Sequence, residues 1–114
     1  MDAYNFELVS IDQIKRNEHS SIRYDVYYDE EHDVYSIYIQ ELRTENRYRG
    51  RGFATSLMKS FIRECKEKDN IVYMELEVPR DDESDWSSYN YLKDFYVKLG
   101  FENYYADFYI LELK

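Results

Sequence analysis

The sequence predicts an α/β (α+β) domain in which a mixed, mostly antiparallel, twisted sheet packs against two main helices. Three observations carry this reading: strand-like alternation of tyrosine, valine and isoleucine from Ile22 to Leu42, a switch to helical spacing directly after Gly50 and Gly52, and a second helical stripe separated from the first by the apolar run IVYMELEVP. The 114 residues suit one domain, 1–114, with a single core. Apolar residues at 44% and only one proline predict order nearly from end to end.

Taken in order, a short strand is expected around Phe6 to Val9, and SIDQIKRNEHSS after it holds one helical turn or none. A hairpin follows, with strands near 22–28 and 34–43 joined by the glycine-free DEEHD. In its second strand Tyr35, Ile37 and Ile39 share the better core face, which strict alternation continues through Glu41 and Arg43. Phe53, Leu57, Phe61 and Cys65, joined by Ala54, Met58 and Ile62, recur at helical spacing and predict a helix from Gly52 to Lys68. In the next strand Val72, Met74, Leu76 and Val78 share a face, and Pro79 ends it. Tyr89, Leu92, Phe95, Tyr96 and Leu99 mark the second helix, which Gly100 closes in the left-handed conformation. The tail FENYYADFYILELK reads as two strands around a turn near Ala106 and Asp107. The first helix then serves as a parallel crossover between two strands.

A net charge of −9 argues against direct nucleic-acid binding and favours cationic partners, with acidic runs at 28–33 and 81–85 to attract them. One cysteine, Cys65, excludes an intrachain disulfide and fits a reducing, cytoplasmic setting. No signal peptide or membrane span is visible. Two histidines, His19 and His32, without metal-ligand spacing predict no metal site; His32 reads as solvent-facing and Cys65 as a buried small hydrophobe.

Against this background the stretch RYRGRGFATSLM, Arg47 to Met58, stands out. From Arg43 to Arg51 four arginines oppose Glu45 alone, so the segment carries +3 while the rest of the chain sums to −12. A strand-to-helix junction exposes unpaired helix N–H groups, and glycines let an anion approach the backbone. A pyrophosphate suits such a seat; a plain tight turn with solvated arginines is the other reading. Thr55 replaces the third glycine of a dinucleotide fingerprint and no GKS or GKT follows, so neither that fold nor a P-loop is expected.

RYRGRG resembles the [Gln/Arg]-x-x-Gly-x-[Gly/Ala] signature of the GNAT superfamily of acyl-CoA N-acyltransferases, and YLKDFYVKLGFE resembles that family's later helix and its exit into a strand. The resemblance spans Val34 to about Tyr105 and implies a GNAT-like fold, here with a reduced N-terminal helical region. It implies that backbone around Arg49, Gly50, Arg51, Gly52, Phe53 and Ala54 holds the pyrophosphate of acetyl-CoA, with Arg47 at the Gln/Arg position. It further implies that the strand ends around Leu42, Arg43, Thr44 and Glu75 to Val78 splay for the pantetheine arm, that Tyr96 protonates the departing thiolate, and that Glu41 or Glu75 is the general base.

The sequence departs from the family pattern in three places. Little chain precedes the hairpin, Tyr89 stands where an asparagine is common with Leu92 in place of a small residue, and the acidic loop with Trp86 lies where an acceptor would approach. The expected function is transfer of acetyl from acetyl-CoA to a primary amine, a lysine of a basic protein or a polyamine. The alternative is a non-catalytic acidic interaction or inhibitor protein on the same fold. Aromatic C-terminal strands with edges to cover also allow a homodimer.

Overall fold

The computed structural model describes residues 3–79 and 86–114. Six strands, β1 (Glu7–Arg16), β2 (Ser20–Asp29), β3 (Val34–Thr44), β4 (Ile71–Glu77), β5 (Glu102–Tyr105) and β6 (Phe108–Glu112), form one sheet in the order β1-β2-β3-β4-β6-β5. Helix α1 (Phe53–Glu67) joins β3 to β4, the sheet's one parallel pair, and α2 (Trp86–Lys98) follows β4. The other four pairings are antiparallel. Apart from a single 3-10 turn at Asn46–Tyr48, no helix precedes α1 among the described residues.

Ile37, Met74 and Leu111 stand in register across β3, β4 and β6, as do Ile39, Leu76 and Tyr109, and all six are buried. Onto this face α1 lays Leu57, Met58, Phe61, Ile62 and Cys65, the residues its spacing marked. Helix α2 adds Tyr96 beside Phe101 in the same cluster, and Lys98 and Leu99 share a groove with Lys59 and Ile62 of α1. Both helices therefore cover one face. The opposite face, carrying Ser36, Tyr73 and Glu112 in one row and Tyr38, Glu75 and Ile110 in the next, has no described helix over it. Residues 4–6 lie on its margin, where Phe6 meets Tyr73 edge-on at 5.6 Å and the Asn5 N–H donates to Asp29 at 2.8 Å.

Two expectations change. The first strand runs on to Arg16, through the segment expected to hold a helical turn or nothing, because pairing with β2 supplies its hydrogen bonds. Its alternation was masked by two register irregularities and by Asp12 at φ 53°. In β3, Tyr24 pairs with Ile39 but Arg23 pairs with Glu41, leaving Gln40 as an extra, bulged residue. The bulge reverses the alternation: Leu42, opposite the buried Ile22, joins the core face, while Glu41 and Arg43 turn to the helix-free face.

His32 is exposed, as read, and it also has partners. Its Nδ1 lies 2.9 Å from the buried Asp29 carboxylate, and its ring meets Tyr4 edge-on. Burial opposes ionisation of Asp29, yet the N–H groups of Asn5 and His32 and the His32 ring hold its carboxyl below the usual range.

The core contains two groups that burial keeps neutral. Burial, with Glu64 nearby, pushes the Cys65 thiol from 9.0 to about 11, and burial pushes the Tyr96 phenol from 10.0 to about 12. Both folded values exceed the unfolded ones, so this stabilisation is complete below pH 9 and is lost as the pH rises through 11 and 12. The urea midpoint is expected to fall steadily above pH 9, and Cys65→Ala to flatten the first part of that fall. A midpoint constant up to pH 11 would contradict it.

Candidate active site

The parallel ladder between β3 and β4 ends at the pair Ile39–Leu76. Beyond it β3 continues to Thr44, still paired with β2 as far as Ser20–Thr44, while β4 turns to β6 and ends at Glu77. The two strands part into a notch. Over Gln40 to Thr44, β3 thus presents one backbone edge that no strand covers.

At the mouth of the notch the chain turns through the 3-10 segment into α1. Gly50 and Gly52 take φ values of 76° and 86°, a region that disfavours side chains, and a Cβ at either would meet nothing within 4 Å. The first intrahelical bond is from the Ser56 N–H to the Gly52 carbonyl, and no side chain caps the helix. The N–H groups of the first turn therefore face open space at the positive end of the helix dipole, with no acidic side chain in that turn. This donor set, at a site kept clear of side chains, fits an anion such as pyrophosphate.

Notch and junction share a cleft of about 800 Å³. Leu42, Arg43, Thr44, Arg49, Gly50, Gly52, Phe53 and Ala54 of the expected cofactor set line it, as does Glu41. Arg49 Nε donates to the Thr44 carbonyl at 3.4 Å, which holds that arginine at the cleft. Arg47 and Arg51 stand outside the lining. Arg51 sits instead over the Tyr48 ring, 5.5 Å from its centroid. Five lining residues were not expected there. Tyr48 lies within the signature itself and Thr55 in the first turn of α1, while Tyr91, Leu92 and Phe95 come from α2, the last two from the stripe that read as core.

Tyr96 is 5% exposed, packs edge-on against Phe95 and Phe101, and is absent from the cleft lining. Its neutral phenol donates to no group among the described residues. Glu75 lies on the helix-free face one residue before the notch and accepts a hydrogen bond from Tyr104. Burial and that carboxylate push the Tyr104 phenol well above its ordinary value. Glu41 reaches the same face by way of the bulge, so the two carboxylates flank the apex of the notch on the side away from the helices. The acidic run 81–85 lies outside the described residues. Among the described residues no cluster of histidine, cysteine and carboxylate groups could hold a metal, and no helix is long and apolar enough to cross a membrane.

Solved structures share this fold. Naa50 of Arabidopsis thaliana, in complex with the bisubstrate analogue CoA-Ac-MVNAL, is similar with a TM-score of 0.60 at 22% identity, over 82% of this chain and 64% of that one. Arabidopsis thaliana NAA60 in complex with acetyl-CoA gives 0.61 at 13% identity, over 90% and 72%. The ribosomal-protein-S18-alanine N-acetyltransferase of Escherichia coli gives 0.60 at 15%, over 87% and 65%. The chain thus spans about two thirds of the length of these proteins, and at these identities the likeness is one of fold. Among curated proteins none matches. The model of the acetyltransferase (GNAT) family matches residues 20–101, from the start of β2 through both helices to the strand entry at Phe101. With the notch, the glycine junction and the sheet order in that matched span, the chain belongs to the acetyltransferase (GNAT) family.

Proposed function

We propose that this protein transfers an acetyl group from acetyl-CoA to a primary amine on a cationic acceptor, a lysine side chain or a polyamine. The observation that carries the reading is the open notch between β3 and β4 with the free amides of α1 at its mouth. Acetyl-CoA supplies the thioester and a thiolate leaving group. The amides from Arg49 to Ala54 hold its pyrophosphate, and the uncovered edge of β3 at Leu42 to Thr44 pairs with the amides of its pantetheine arm. The acceptor ammonium first gives a proton to Glu75 or Glu41; the freed amine nitrogen attacks the thioester carbon, the carbon–sulfur bond breaks, the departing sulfur takes the Tyr96 phenol proton, and the surplus proton on nitrogen passes to solvent, from which the phenol is restored. Complexes of similar structures with acetyl-CoA and with a CoA-linked peptide support the assignment of donor.

The acceptor arrives from the helix-free face, where Glu75 and Glu77 stand among Tyr38, Tyr73 and Tyr104. Carboxylates interleaved with aromatic rings suit an ammonium group. Incubating the protein with labelled acetyl-CoA and a panel of lysine peptides and polyamines, followed by mass spectrometry, tests the reading. Acetylated amine and free CoA in equal amounts are expected. Saturable acetyl-CoA binding without turnover on any amine would favour a non-catalytic role.

With the same assay, kcat/KM for a cationic acceptor is expected to drop several-fold between about 50 and 300 mM salt, as exposed charges are screened. For a neutral amine it should hardly change. Equal salt dependence for both would remove the electrostatic argument for a cationic acceptor.

A further inference from the structure

The anion seat has little to hold it in shape. Its two glycines are unrestrained by neighbours, its helix has no side-chain cap, and Arg47, Arg49 and Arg51 are exposed. The turn between β1 and β2, some thirty residues upstream, reaches across to it. The Asn17 amide donates to the Phe53 carbonyl at 2.8 Å, in the first turn of α1, while its own oxygen accepts the N–H groups of His19 and Ser20. At the other end of the loop the Glu45 N–H donates to the His19 carbonyl at 3.0 Å.

Between these ties lies a stack. The His19 ring lies face to face with Tyr48, centroids 3.4 Å apart and planes 6° from parallel, and meets Phe53 edge-on at 4.7 Å. Its Nδ1 is 2.8 Å from Glu45 Oε2, an oxygen that can only accept, so Nδ1 carries the proton. Glu18 stands 4.0 Å from Nε2. The guanidinium of Arg51 also lies over the Tyr48 ring, 5.5 Å from its centroid. One ring thus touches residues 45, 48 and 53, which bracket both glycines of the seat.

We propose that His19 is a positioning residue: the β1–β2 turn, through His19 and Asn17, braces the glycine loop in its anion-binding shape and thereby sets affinity for acetyl-CoA without touching it. The proposal rests on reading the seat as the acetyl-CoA site. Pre-organisation of this kind appears in binding and leaves the chemical step alone.

Two measurements on the full chain test it separately. In ligand-free protein, His19→Ala should speed hydrogen exchange about tenfold at the Tyr48 and Ser56 amides, the hydrogen-bonded amides on either side of the glycines, whereas exchange in β4 and β6 stays unchanged. Calorimetry should show acetyl-CoA binding weakened about tenfold, and kinetics a matching rise in KM with turnover at saturating acetyl-CoA altered less than twofold. His19→Phe, which keeps the ring, should restore most of the affinity. Tyr48→Ala should reproduce the exchange effect, and the double variant should be no worse than either single one. Unchanged exchange at residues 48 and 56 in both single variants overturns the brace. A wild-type protein that binds no acetyl-CoA, with exchange nonetheless accelerated in the variants, overturns the cofactor reading and with it the assigned purpose of the brace.

Discussion

Gly52→Glu is expected to weaken acetyl-CoA binding at least 100-fold while leaving the fold intact. The position separates two effects. At φ 86° any L-residue is strained by about 1–2 kcal/mol, so Gly52→Ala alone should weaken binding up to about tenfold if the loop relaxes to relieve that strain. Space is not the issue, because a Cβ there meets nothing within 4 Å. Glutamate adds a negative charge at amides that otherwise receive phosphate oxygens, and it offers those amides a competing carboxylate. Calorimetric titration of the three proteins, with circular dichroism as a control for folding, gives the comparison. Binding of the glutamate variant within threefold of wild type would place the pyrophosphate elsewhere.

Tyr96→Phe should lower turnover about 100-fold, the low end of what a positioned proton donor contributes. Acetyl-CoA affinity should stay within twofold. The physical basis is that the hydroxyl serves no described partner, whereas the ring packs against Phe95 and Phe101. Removing one oxygen keeps both ring contacts, so the melting temperature should hold or rise slightly. With the phenol at about 12, Tyr96 stays protonated across the neutral range, and any alkaline limb of the rate profile below pH 10 belongs to another group. Turnover within twofold of wild type would show that sulfur receives its proton from water or another side chain.

Much of the fold was legible because each element stated itself locally. The Phe53, Leu57, Phe61 and Cys65 spacing of α1 needed only its own residues, and three of those four are buried as read. Gly100 behaves similarly: at φ 107° it closes α2, and a Cβ there would come within 3.2 Å of Leu111. Failures came where a distant partner decides. The length of β1 depends on β2, since Leu8, Val9, Ile11 and Ile14 remain exposed and trace no buried face. The side to which Glu41 points depends on one bulged residue, Gln40, whose amide bonds Asp25 across the strand pair. At the site, the glycines and the strand end were readable as a strand-to-helix junction. The stacking of Arg51 on Tyr48, and of Tyr48 on His19, joins segments far apart in sequence that no local pattern links.

The short parallel ladder is also a seam between two leaves of the sheet. Five register pairs hinge one leaf of the sheet, β1 to β3, to the other, β4 to β6, whereas ten pairs join β2 to β3. A molecule lodged in the notch touches both leaves and works as a clasp across that hinge. At a hundredfold excess over its dissociation constant such a clasp raises stability by about 2.7 kcal/mol. For this chain, saturation with donor would therefore register as resistance to opening along one seam.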